Sequence, residues 1–126
     1  MIYFSQPKNE ALRDIFAAHN FIWAERQNAM CNADKYLTDY GLVIGRDFRQ
    51  RGLAGEFLKA RITLTKLLGV TVTSSIFTAT ASQKAAEKVG YETIVEYPFA
   101  NLEIQFPSFD FSGNDTIFAK IMDKKV

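Results

Sequence analysis

Leu42-Val43-Ile44-Gly45-Arg46-Asp47-Phe48-Arg49-Gln50-Arg51-Gly52-Leu53-Ala54-Gly55 is the stretch on which the reading of this chain turns. Leu42 to Ile44 is a short apolar run between Gly41 and Gly45, the pattern of a buried strand. A polar loop, Arg46 to Arg51, follows it. From Gly52 to Leu68 apolar residues recur at helical spacing, with Leu53, Phe57, Ala60, Leu64, Leu67 and Leu68 on one face and Gly69 at the expected stop. The junction is the unusual part. A helix N-terminus presents unpaired N–H groups and roughly half a positive charge, so acidic residues normally gather there. Here Arg49 and Arg51 stand beside it, and an external anion would relieve that repulsion. Gly52, Ala54 and Gly55 leave the amides open to a closely approaching phosphate. A solvated basic loop before a poorly capped helix explains the same residues, and local physics leaves both readings open. A Walker loop is excluded because no Gly-Lys-Ser/Thr follows, and the glycines do not fall at dinucleotide-fingerprint spacing.

Outward from this junction, Lys8 to Ala18 has helical spacing after Pro7, and Phe21 to Met30 reads as a second short helix. Val70 to Phe77, rich in Val, Thr and Ile, is expected to be a strand. Ser82 to Val89 is expected to be a helix closed by Gly90, with strands at Tyr91 to Tyr97 and Thr116 to Met122. Pro98 to Asn114 carries Pro107, Ser108, Gly113 and Asn114 and reads as a long surface loop. The sum is an α/β (α+β) domain around a partly parallel sheet flanked by helices.

The 126 residues suit one domain, 1–126, with one core. Apolar residues at 48% and charged residues at 23% describe a folded chain, and a net charge of +1 argues against nucleic-acid or membrane-surface binding. A lone Cys31 and an opening without a signal-peptide pattern make the cytoplasm the expected compartment. With one histidine, His19, and one cysteine, no metal site is expected. His19 lacks the setting of a catalytic triad. Most of the eleven phenylalanines are expected in the core, while Phe106, Phe109 and Phe111 either anchor their loop or wall an aromatic pocket.

Arg49-Gln50-Arg51-Gly52-Leu53-Ala54 matches the motif Q/R-x-x-G-x-G/A and so resembles the pyrophosphate turn of the GNAT N-acetyltransferases. Thr78 to Tyr91, ending Lys88-Val89-Gly90-Tyr91, is similar to that family's segment closing in K-x-G-F/Y. Ser82, Tyr97-Pro98-Phe99-Ala100-Asn101 and Thr116 to Met122 are most similar to arylalkylamine N-acetyltransferases of the invertebrate type. The likeness runs over roughly residues 35 to 122.

The resemblance implies a GNAT-like sheet without the family's usual N-terminal strands. It implies acetyl-CoA as cosubstrate and a small primary arylalkylamine as acceptor, joined by direct attack in a ternary complex. Val43 and Ile44 would offer backbone groups to the pantetheine arm and the developing oxyanion. Arg49, Gln50, Arg51, Gly52, Leu53, Ala54 and Gly55 would hold the pyrophosphate. Many relatives carry a proton-donating tyrosine where Ala86 stands, so Ser82 takes that role here, with Lys84 and Lys88 on the same segment. The family's base belongs to the N-terminal part; Glu10, Asp14 and Glu25 are substitutes that no spacing distinguishes. The alternative is a shortened, non-catalytic CoA-binding or interaction module, and a homodimer through an exposed sheet edge is the assembly this reading allows.

Overall fold

The computed structural model describes residues 9–29, 35–39, 41–106 and 115–126. Helix α1, Glu10–Ala29, starts at Asn9, whose Oδ1 accepts the Leu12 N–H at 3.3 Å in the manner of an N-cap. It is continuous where two helices were expected, because Ala18-His19-Asn20-Phe21 contains neither glycine nor proline to break it. After a 3-10 turn, Arg46–Phe48, come α2, Leu53–Leu67, and strand β1, Val72–Phe77. Helix α3, Thr80–Val89, leads to β2, Glu92–Pro98. A further helix, α4, Phe99–Gln105, precedes β3, Phe118–Lys125. Helix α4 occupies the start of the expected long loop, where Phe99 and Leu102, three residues apart, bury one helical face. Residues 107–114, with Phe109 and Phe111, lie outside the described residues, as does Cys31.

The sheet has the order β1-β3-β2, with β3 antiparallel to both neighbours. Successive β3 side chains point to opposite faces. Ala119 and Ile121 join Ala18 and Ile22 of α1 and Phe99 and Leu102 of α4 in one core. Met122 joins Leu58 of α2, Ala86 of α3, Phe77 and Tyr91 in the other. Helices therefore cover both faces, which explains why β1 is buried along nearly its whole length despite carrying Thr73, Ser74 and Ser75.

Two further expectations are corrected. Leu42 to Ile44 forms no strand: Val43 is 85% and Leu42 40% exposed. The parallel pairing lies five residues upstream, where the Leu37 N–H donates to Val72 O at 3.0 Å and the Ser74 N–H to Leu37 O at 2.9 Å. It is the one parallel bridge among the described residues. The inward face of α2 also differs from the one the apolar spacing selected. Leu58 and Thr65 are buried, whereas Phe57, Leu64, Leu67 and Leu68 are exposed. The polar surface of β1 decides this, since it receives Arg61 of α2 rather than a leucine. No helix among the described residues is long and apolar enough to cross a membrane.

Buried Gln83 of α3 ties two strands together, its amide nitrogen donating to Phe77 O at 3.0 Å and Phe118 O at 2.8 Å. Gln83→Met, close in size, leaves both carbonyls without that donor. Urea unfolding should show a loss of about 2–3 kcal/mol, the cost of stranding buried acceptors.

Candidate functional site

The turn into α2 is built from unusual backbone. Gln50 has φ 61° and Gly52 φ 73°, so a non-glycine residue and a glycine both adopt the left-handed region within three positions. For Gln50 this is strained, and such strain collects where a site needs a particular backbone shape. Gly52 is the N-cap of α2 and offers no side-chain cap. The first intrahelical bond runs from the Glu56 N–H to Gly52 O at 3.2 Å. The amides of Leu53, Ala54 and Gly55 precede it and point out of the helix end. Glu56 lies in the first turn, but its carboxylate is paired with Lys59 at 3.1 Å.

The two arginines of the turn are used differently. Arg49 Nε donates to Ile44 O at 2.9 Å, fastening the turn to the apolar run before it. Arg51 lies over the exposed Phe48 ring at 5.7 Å, a geometry that pre-orders its guanidinium without consuming its donors. Val43 and Ile44 make no backbone hydrogen bond to the rest of the described chain apart from that Ile44 carbonyl contact. The residues named for the pyrophosphate thus sit together on one turn, with Val43 and Ile44 leading into it.

Ser82 stands apart. It lies in the first turn of α3, and its hydroxyl donates to Ala79 O at 2.8 Å. A Cβ on Gly55 would approach Val89 at 3.9 Å, so the start of α2 meets the far end of α3. Ser82 is seven residues from Val89, ~10 Å along the helix axis. Buried Ala86 packs in the core of that face, and its own methyl side chain can donate no proton. Glu10, Asp14 and Glu25 lie on α1, which covers the opposite face of the sheet from α2 and α3.

One cluster escaped the sequence reading. Arg61 of α2 donates from one guanidinium nitrogen to Asp39 Oδ2 and from the other to Ser75 Oγ at 2.6 Å. The Ser75 hydroxyl in turn donates to Asp39 Oδ2 at 3.1 Å. The Arg61 side chain is 11% exposed and lies over the Tyr91 ring at 5.7 Å. A charged residue at helical spacing with Leu58 and Thr65 was the available signal, masked by the more conspicuous leucines at 64, 67 and 68.

No family model matches the sequence, and no protein of curated function matches it. Solved structures do. An Aedes aegypti protein classed as insect arylalkylamine N-acetyltransferase 7 superposes with a TM-score of 0.81 at 27% identity, over 99% of this chain and 53% of that one. Arylalkylamine N-acetyltransferase 2 of the same mosquito gives 0.72 at 20% identity, over 94% and 56%. Mosquito arylalkylamine N-acetyltransferase like 5b gives 0.61 at 19%, over 93% and 54%. The chain has the GNAT fold. It spans about half the length of these structures.

Within this GNAT-fold chain His19 has a structural role. Trp23 Nε1 donates to His19 Nε2 at 2.6 Å, which requires an unprotonated acceptor, and Trp23 stacks on Tyr36 at 5.6 Å. Desolvation lowers the His19 pKa below the ordinary imidazole value of 6.5, against an opposing pull from Asp39. The unfolded chain takes up this proton more readily, so the contribution is complete above pH 6.5 and is lost as pH falls below it. Between pH 7.5 and 5.5 the unfolding free energy of the wild type should fall further than that of His19→Gln.

Two glycines of the turn should respond oppositely to alanine. At Gly52 a Cβ meets no atom within 4 Å but φ is 73°, so Gly52→Ala should cost about 1–2 kcal/mol of backbone strain. Gly55 is helical with ordinary van der Waals room beside Val89, so Gly55→Ala should stabilise by about 0.4–1 kcal/mol. Denaturant titration of both variants checks the signs.

Proposed function

We propose that residues 1–126 form one acetyl-CoA-binding domain that transfers the acetyl group to a small primary arylalkylamine by direct attack. The observation that carries this reading is the uncapped start of α2, entered through left-handed Gln50 and Gly52 and flanked by Arg49 and Arg51. Three open amides, a helix dipole and two neighbouring arginines are the donor types a pyrophosphate requires. The GNAT fold shared at 27% identity with a mosquito protein classed as an arylalkylamine N-acetyltransferase supports it.

In this reading Leu53, Ala54 and Gly55 donate their amides to the pyrophosphate, and Arg51 closes over it. Arg49 spends Nε on Ile44 O and keeps its terminal nitrogens for phosphate. The Val43 and Ile44 amides lie upstream, where they serve the pantetheine arm and the thioester carbonyl as negative charge develops on it. Ser82 donates its proton to the departing sulfur after releasing Ala79 O. A thiol of pKa near 8.5 leaves readily enough that this help is small. Bringing the amine and the thioester together supplies most of the rate, up to about 7–11 kcal/mol. The amine, with a pKa near 10.4, must first lose a proton, so turnover should rise with pH.

The test is amine-dependent release of free thiol from acetyl-CoA, read with a thiol reagent. Tryptamine or a phenylethylamine should release thiol stoichiometrically with N-acetylamine, and Ser82→Ala should slow kcat by no more than about tenfold. CoA binding with no amine-dependent release would instead favour the non-catalytic CoA-binding module.

A further inference from the structure

In the run Leu42 to Ile44, Leu42 and Val43 are exposed and none of the three pairs with a strand, yet the proposed cofactor cleft needs its amides at a fixed distance from α2. Its downstream end is held by Arg49 Nε on Ile44 O. Upstream it is preceded by Asp39, bound to Arg61 on α2 and Ser75 on β1. We propose that Asp39 and Arg61 are positioning residues that set the width of the cleft between the 41–44 run and the start of α2. This rests on the reading of that cleft as the acetyl-CoA site.

The cluster is poorly suited to a purely stabilising role. Arg61 Nε is buried with no hydrogen-bond partner among the described residues, and so is the hydroxyl of Tyr91, whose ring lies under the guanidinium. A buried ion pair with an unmatched donor contributes little net stability, because desolvation offsets its Coulombic gain. What it does supply is geometry. The planar fork of Arg61 fixes the angle between α2 and the strand-like segment in a way a leucine would not. Arg61 lies roughly two turns along the helix from Leu53, so a small rotation there displaces the amides of the N-terminal turn. The segment 35–39 is also fixed on its other side, with Tyr36 stacked on Trp23 of α1. Leu37 is bonded to β1 between them. With its upstream neighbour pinned in this way, the 41–44 run hangs between two arginine contacts.

The double variant Asp39→Asn/Arg61→Met removes both charges and cuts only the link to α2, because the amide introduced at position 39 can still bond Ser75. Ser75→Ala is the control that keeps the Asp39–Arg61 contact. The proposal expects the double variant to fold with a Tm close to wild type, to bind CoA at least tenfold more weakly by calorimetry, and to show lower 15N order parameters at Leu42, Val43 and Ile44. Ser75→Ala should keep CoA affinity within about threefold. A folded double variant with wild-type CoA affinity and unchanged order at 42–44 would overturn the proposal, and so would a lower Tm with both unchanged. If wild type itself binds no CoA, the cofactor reading fails while the order parameters still decide whether the cluster positions the run. Should the double variant not fold, Arg61→Lys, which keeps the charge but not the fork, is expected to loosen 42–44 in the same way.

Discussion

The pairing of β3 with strands on both sides is the constraint from which the rest of the structure follows. Because Phe118–Lys125 is central, its alternating side chains must satisfy two cores, with Ala119 and Ile121 toward α1 and α4 and Met122 toward α2 and α3. That requirement puts helices on both faces and buries β1 between them. A strand buried on both sides cannot leave polar groups unmatched, so its serines and threonine take partners. Ser75 takes Arg61, Thr73 takes the Leu37 carbonyl at 2.9 Å, and these bonds bring α2 and the 35–39 segment to the same sheet edge.

The turn between that segment and α2 is the part of the molecule at which local preferences conflict. A left-handed glutamine, an uncapped helix and two arginines at a positive helix end each cost free energy in isolation. Their agreement in place is what the proposed anion site would account for. The division of labour between Arg49, committed in part to Ile44, and Arg51, resting on Phe48, gives the turn a fixed floor and a free arm.

Much of this was legible in the residues. Gly69 and Gly90 marked helix ends correctly, and the Val- and Thr-rich run around residue 72 marked β1, because these signals are local. The start of α2 at Gly52 was legible for the same reason, since adjacent residues carry it. What failed depended on partners distant in sequence. Leu42 to Ile44 has the composition of a strand, but strand formation needs a neighbour, and β1 gives its edge to Leu37 instead. The outward leucines of α2 satisfied helical spacing on the wrong face, since spacing alone does not say which stripe meets the sheet. Asp39 and Ser75 carry no sequence signal at all, because they meet only where the 35–39 segment pairs with β1 in the folded chain. Ser82 matched its family position by sequence, while the structure shows its hydroxyl turned to Ala79 O.

The central claim is that the start of α2 is a pyrophosphate site, and calorimetric titration of the folded chain with coenzyme A, beside an Arg51→Glu variant, tests it most directly. The account predicts micromolar binding to the wild type, about 8 kcal/mol, that the variant loses while keeping its fold. A folded wild type that takes up no coenzyme A, or a variant that binds as tightly as wild type, would contradict it.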